Sequence, residues 1–162
     1  MEHAADDDAH GRSVARSQHA VASSVRDGTA ALFDLQGEAT TASTIVATGE
    51  GAEGLAINSK TGEAWIGNRV ANTLTIVGPA TTKASAPINT GDFPFRITFT
   101  PDAATALVSC AESGEVQIFD STKKSLTRSI SIHGDASELS AQPMGLCNRS
   151  RRHVRLRRVL AQ

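Results

Sequence analysis

Displaced by 42 residues, the chain falls on itself without a gap. Gly49 lands on Gly91, Leu55 and Ile57 on Ile97 and Phe99, Trp65-Ile66 on Leu107-Val108, and Leu74, Ile76 and Val77 on Val116, Ile118 and Phe119. Identities are few, but apolar positions meet apolar positions through three successive runs. A chain that repeats at such an interval folds as an array, because one unit cannot bury its apolar face alone and stacked neighbours can. The clearest copy is Gly91–Asp120, GDFPFRITFTPDAATALVSCAESGEVQIFD. In it Phe95, Ile97 and Phe99 alternate with Arg96 and Thr98, the period-two pattern of a strand with one dominant buried face. Pro101-Asp102 breaks that run. A second run, Ala106–Cys110, stops at the turn-forming Glu112-Ser113-Gly114, and a third, Val116–Phe119, follows at once.

The second unit predicts four strands, Gly54–Asn58, Ala64–Asn68, Thr73–Val77 and Ala84–Asn89, with turns at Thr61-Gly62 and Ala71-Asn72. Leu126–Ile132 supplies the outer strand of the third. Upstream, Val21-Ala22 and Asp27–Asp34 repeat the second and third strands at a spacing of 44, with an outer strand near Ser43–Thr48. Four strands at a period of about 40 to 45 residues mark a propeller blade. The expected fold is therefore all-β: an incomplete β-propeller of consecutive four-stranded antiparallel blades, about two full blades with parts of two others. Residues 1–18 read as a disordered, solvated leader. Residues 19–146 form the array, with blade edges near 49–53, 91–94 and 142–143, where Gln142-Pro143-Met144-Gly145-Leu146 opens a fourth unit that is then lost. Residues 147–162 are an Arg-rich, non-blade tail.

Composition narrows the function classes. With 40% hydrophobic residues, 4% aromatic and a formal net charge of −1, the chain suits a soluble β-rich domain better than a membrane protein or a nucleic-acid binder. No apolar run approaches the roughly 18 residues of a membrane span, and Met1–Gln18 lacks the apolar core of a secretory signal. Cys110 falls in a predicted buried strand and Cys147 near a turn, so Cys110 is expected to be a buried free thiol. Trp65 holds the register of Leu107 in the next unit, so packing between blades is expected of it before ligand stacking. His3, Asp6-Asp7-Asp8 and His10 are metal-ligand types without a rigid frame. His133 and Asp135, on the long polar connection His133–Ala141, are the candidate ligand-facing loop residues. No catalytic set, metal-ligand cluster, phosphate loop, haem motif or nucleophile elbow occurs, so no cofactor is expected.

The tail Asn148–Leu160, NRSRRHVRLRRVL, holds six arginines. Clustered arginine neutralises phosphates, which makes nucleic-acid binding one reading. A second reading is sharper. With permitted codons and a frame starting at the second base of the Cys147 codon, the tail translates as Ala-Thr-Asp-Pro-Asp-Gly-Thr-Tyr-Ala-Tyr-Val-Ala-Cys-Ser. Its Pro-Asp, an alanine and a cysteine then fall 49 residues after Pro101-Asp102, Ala106 and Cys110, the spacing that separates Pro94 from Pro143. The last 16 residues are therefore expected to be an out-of-frame translation of further blades.

The recurring G-x-x-P-x-x-I-x-F-T-P-D, A-L-V-S-C and S-G-x-V-x-I-F-D of the third unit resembles the YVTN-type β-propeller repeat and its lactonase-like and cytochrome d1-type relatives. The resemblance covers about His19–Leu146. It is looser in the second unit, where Ala52, Lys60 and Gly78 replace Pro94, Asp102 and Asp120. It implies a bacterial binding or interaction module, often periplasmic or secreted, and some relatives are enzymes. The matched residues are turn and core positions, so no catalytic residue carries over. The expected function is that of a propeller fragment whose parent binds a protein or small molecule without catalysis, the chain having no activity of its own. A remnant of a lactonase-like or cofactor-dependent propeller enzyme is the alternative. An open array also predicts uncovered blade faces, at Trp65 or Phe119, with self-association through them. The frame argument has a direct check: the coding DNA should continue through further blades in the shifted frame, and a stop or unrelated sequence there would refute it.

Overall fold

The computed structural model describes residues 19–34, 42–79, 83–132 and 142–147. Among the described residues eleven strands are formed, and every regular element is a strand. β1 (His19–Ser24), β2 (Thr29–Asp34) and β3 (Ala42–Ala47) make a three-stranded antiparallel sheet. β4 (Ala52–Ile57), β5 (Ala64–Asn68), β6 (Thr73–Val77) and β7 (Ile88–Asn89) make the second sheet, in that order. β8 (Pro94–Phe99), β9 (Thr105–Cys110), β10 (Glu115–Asp120) and β11 (Ser125–Ser131) make the third. Each sheet is one blade, and the first strand of one blade packs on the blade before it: β4 on β1, and β8 on β4 and β5.

Period-two alternation sends one side of each strand to the preceding blade and the other side to the following blade. In blade 2, Ala64, Ile66 and Val77 join Ala30, Leu32 and Val46 of blade 1, while Trp65, Leu74 and Ile76 join Ala106, Val108, Cys110 and Phe119 of blade 3. Both faces are covered, so β5 is buried along its whole length. Among the described residues, blade 3 is covered on one face only. Phe119 is fully buried against Trp65, whereas Leu107, Val116 and Ile118, pointing the other way, are half-buried. The uncovered face is thus not the one expected from sequence. Trp65 and Phe119 lie against each other, at 0% exposure both, and the open side is that of Leu107, Val116 and Ile118.

One turn repeats as closely as the strands. Gly28, Asn72 and Gly114 occupy one turn position in three blades, and all three are left-handed, with φ of 61°, 54° and 63°. Glycine has no Cβ penalty there and asparagine tolerates the conformation, which is why those residue types punctuate the repeat. The outer strand of blade 2 is shorter than the expected Ala84–Asn89. It is Ile88–Asn89 with a separate bridge from Ala84 to Val77. Pro87 has no N–H for a ladder, and the Ser85 hydroxyl is spent accepting the Ile76 N–H at 3.0 Å.

Two glycines set how closely blades approach. A Cβ on Gly54 would lie 2.6 Å from the Phe95 carbonyl oxygen, and one on Gly67 would lie 2.9 Å from that of Pro94. Backbone oxygens of β8 cannot move aside as a flexible side chain could. Gly54→Ala is therefore expected to cost on the order of 1–3 kcal/mol through overpacking. Gly145, with nothing within 4 Å of such a Cβ, supplies the control. Urea denaturation should show a clear loss of stability for Gly54→Ala and almost none for Gly145→Ala.

Candidate functional site

Two places gather polar and charged side chains between blades 2 and 3, one at each end of the strands. The first is built by slips in the inner-strand ladders. Pairing of β4 with β5 shifts between Ala52 and Gly54, and pairing of β8 with β9 shifts between Pro94 and Arg96. A bulge re-aims the side chain at the slip. Glu53 and Phe95 hold these corresponding places. Phe95, expected on the buried face with Ile97 and Phe99, is instead half-exposed, and Pro94 is buried.

Phe93 precedes this bulge and stands where blade 2 has Gly51. It keeps the glycine's left-handed backbone, at φ 58° against 75°. For a bulky residue that conformation costs on the order of 1–3 kcal/mol and persists only when its surroundings enforce it. Here Asn72 does so. Its Oδ1 accepts the Phe93 N–H at 2.9 Å, its Nδ2 donates to Asp92 Oδ1 at 2.9 Å, and its carbonyl accepts the Thr90 N–H at 3.0 Å. The Phe93 carbonyl in turn accepts the Ala111 N–H at 2.9 Å.

The result is a ladder of planar groups. Arg69 Cζ lies 5.0 Å from the Phe93 ring centroid, Phe93 stacks on Phe95 at 5.9 Å and 28°, and Arg96 Cζ lies 4.0 Å over Phe95. A guanidinium over an aromatic face is held by the ring quadrupole. Arg69 also forms an ion pair with Glu53, Nε to Oε2 3.1 Å, without hydrogen-bond alignment. Arg96 is exposed, and its terminal nitrogen donates to the Phe95 carbonyl, at 3.3 Å. Among the described residues it has no carboxylate partner, so the ladder ends in an available cation.

The second place is a cleft of about 290 Å³ at the opposite end, lined by Asn58, Lys60, Glu63, Asp102, Ser121 and Lys124 among others. Its polar groups are largely occupied in tying turns together. Lys124 Nζ meets Glu63 Oε1 at 2.6 Å, Asn58 Nδ2 donates to the Ala103 carbonyl at 3.1 Å, and Ser121 donates to the same carbonyl at 2.6 Å. Hydrogen bonds from the Thr100 hydroxyl and the Ala104 N–H hold the Asp102 carboxyl below its usual 3.8. The Lys123 and Thr122 N–H groups do the same for Asp120. Both carboxylates hold turns of blade 3.

Cys110 is a free, buried thiol, as expected, and Cys147 is free and exposed. Burial first, then the neighbouring Glu115 charge, pushes the Cys110 thiol up to about 12, far from nucleophilic at neutral pH. Trp65 is enclosed by Phe99 and Phe119, edge-on at 5.5 and 6.3 Å, so it packs between blades. His133 and Asp135, the leader and the tail lie outside the described residues. Among the described residues no group of three His, Cys, Asp or Glu is placed to hold a metal. Sequence reading did not find the Arg–Phe ladder, since the Phe-Pro-Phe-Arg run reads as strand core. Its one signal is Phe93 at a position that is glycine one blade earlier.

No protein-family profile and no curated protein matches the chain. Solved structures do. Hydrazine synthase of Kuenenia stuttgartiensis matches with a TM-score of 0.71 at 18% identity, over 80% of this chain and 35% of that one. A protein provisionally assigned as a 6-phosphogluconolactonase, from Bacteroides fragilis, matches with a TM-score of 0.63 at 19% identity, over 72% and 37%. Apo AztD from Citrobacter koseri matches with a TM-score of 0.56 at 14% identity, over 67% and 30%. The chain thus spans about a third of the length of the structures it resembles. At these identities the likeness establishes the fold, an incomplete β-propeller, and leaves activity open.

Two outcomes follow from the titrating groups. A lowered carboxylate pKa contributes stability that is present above the unfolded value, 3.8, and is lost as pH falls through the folded one. The stability gap between the native chain and Asp102→Asn or Asp120→Asn, read from urea midpoints, should therefore be widest at neutral pH and close well below 3.8. A maleimide should label Cys147 at once in the native chain, and Cys110 only after denaturant is added, as counted by mass spectrometry.

Proposed function

We propose that this chain is the part of a β-propeller that binds a ligand without transforming it, and that the ligand meets the inner rim at Arg69, Phe93, Phe95 and Arg96. The observation that carries this reading is the strained, left-handed Phe93. A non-glycine residue at a glycine position is retained against a conformational cost, and what it gains is the ring that joins Arg69 to Phe95. The arrangement suits a ligand that carries an anionic group on a planar, apolar body. The exposed guanidinium of Arg96 offers a charge-assisted fork to a carboxylate or phosphate, and the ladder behind it keeps that fork from rotating away.

The reading separates binding from catalysis by what the rim contains. Its charged groups are a guanidinium pair, Glu53 matched to Arg69, and Asp92 held by the Asn72 amide, so it offers charge and planar contact. The neighbours that include enzymes share the fold at identities too low to transfer an activity.

Benzoate and phenyl phosphate are suitable probes. Titrated into the isotopically labelled chain, they should shift the amide signals of Arg69, Phe93, Phe95 and Arg96 together, with millimolar affinity. Arg96→Ala should weaken the response about tenfold. Absence of shifts at the rim, or shifts that survive Arg96→Ala unchanged, would refute the site. Hydrolysis of a lactone by the chain would refute the non-catalytic role, and its loss in Arg96→Ala would assign the chemistry to the rim.

A further inference from the structure

We infer that the open face of blade 3 and the open face of blade 1 are the two halves of one interface, and that two copies of this chain close head to tail into a ring of six blades. The faces are matched position by position by the repeat. The interface between blades 2 and 3 sets Trp65, Leu74 and Ile76 against Ala106, Val108 and Phe119. On the open side of blade 3, Leu107, Val116 and Ile118 hold the places of Trp65, Leu74 and Ile76, and all three are half-buried. On the open side of blade 1, Ala20, Ala22 and Phe33 hold, at the spacing of 44, the places of Ala64, Ile66 and Val77, which correspond to Ala106, Val108 and Phe119. Each of those is exposed or half-buried too, and Ile45, opposite Ala31 on the same face, is 69% exposed. A second copy's blade 1 therefore presents to blade 3 what blade 3 itself presents to blade 2.

Strand count points the same way. Blades 2 and 3 have four strands, while blade 1 has three and leaves β1, the counterpart of β5 and β9, as an edge among the described residues. The stretch 44 residues before β4, Asp8–Ser13, reads Asp-Ala-His-Gly-Arg-Ser and lacks the alternating apolar residues of an inner strand. A spare inner-strand opening lies at the other end of the chain. Gln142-Pro143-Met144-Gly145-Leu146 matches the start of β8, and Pro143 is buried, as is Pro94 at the head of β8. Placed beside β1 of the second copy, this segment would complete that blade's sheet by strand addition. Each copy then contributes three complete blades. Propellers hold roughly four to eight blades, and six is the one multiple of three in that range. The contact is heterologous, and with two copies the ring closes instead of growing. Such closure is independent of any ligand at the rim.

Light scattering coupled to size exclusion should give the purified chain a mass twice its 16.9 kDa, independent of concentration above the dissociation constant. A monomer, or a polymer that lengthens with concentration, overturns the proposal. Ile118→Lys breaks only the blade 3 face and Phe33→Asp only the blade 1 face, so each variant alone should run as a monomer. Mixed, they retain one intact pair of faces and should form a heterodimer, weaker than the parent dimer. Misfolded variants could not complement each other in this way. Failure of the mixture to associate while both variants keep their β-sheet circular dichroism also overturns the proposal.

Discussion

The fold depends on the contact between Trp65 and Phe119. Trp65 projects from β5 into the space between blades 2 and 3, where Phe99 and Phe119 meet it edge-on and Leu74, Ile76, Ala106 and Val108 close the sides. Burying a large apolar side chain contributes roughly 1.5–3 kcal/mol, and aromatic edge contacts add about 0.5–1.5 kcal/mol beyond area. Neither blade could hold these residues alone, because a single antiparallel sheet leaves one of its faces to water. Blade 2, enclosed on both sides, is the part of the molecule that needs least from outside. Among the described residues, blades 1 and 3 each enclose one face and leave the other partly open, so whatever covers those faces determines how much of the array is stable. Among the described residues the Trp65 Nε1 hydrogen has no acceptor.

Close approach between blades comes from residues that have no side chain to interpose. Gly54 and Gly67 let the carbonyl oxygens of Phe95 and Pro94 lie within 2.6 and 2.9 Å of where a Cβ would stand. That approach brings the first strands of blades 2 and 3 together, and with them Glu53 and Phe95, the residues at the two ladder slips. The rim is therefore a product of tight packing beneath it. Local strain at Phe93 is kept by Asn72, itself left-handed, whose side chain reaches from the blade 2 turn to the chain entering blade 3. One residue both shapes its own turn and enforces the geometry of the next blade.

The two ends of the strands divide their polar groups differently. At the cleft end, Asn58, Ser121, Asp102 and Asp120 spend their hydrogen-bonding capacity on backbone groups of the turns, and the Lys124–Glu63 pair ties two blades. These are the means by which short loops satisfy buried backbone without secondary structure. At the rim end the charged groups lie on ring faces, and the last of them is exposed. A structural frame at one end and an exposed cation at the other give the array a direction.

Much of this was legible in the amino-acid sequence. The interval of 42 residues, the alternation within each run and the glycine or asparagine at the turns of Gly28, Asn72 and Gly114 are all local, and they determined the strands, those turns and the all-β array. Period-two alternation says that a strand has two faces but not which of them a neighbour covers, so the open side of blade 3 became known only from stacking. The same limit hid the rim. Phe95 follows the alternation in sequence, yet a slip in its pairing with β9 turns it outward. Arg69 and Phe93 belong to different repeats and meet only across the blade interface. Tertiary structure decided these features because bulges and cross-blade contacts depend on how two sheets settle on one another, a property of neither repeat alone.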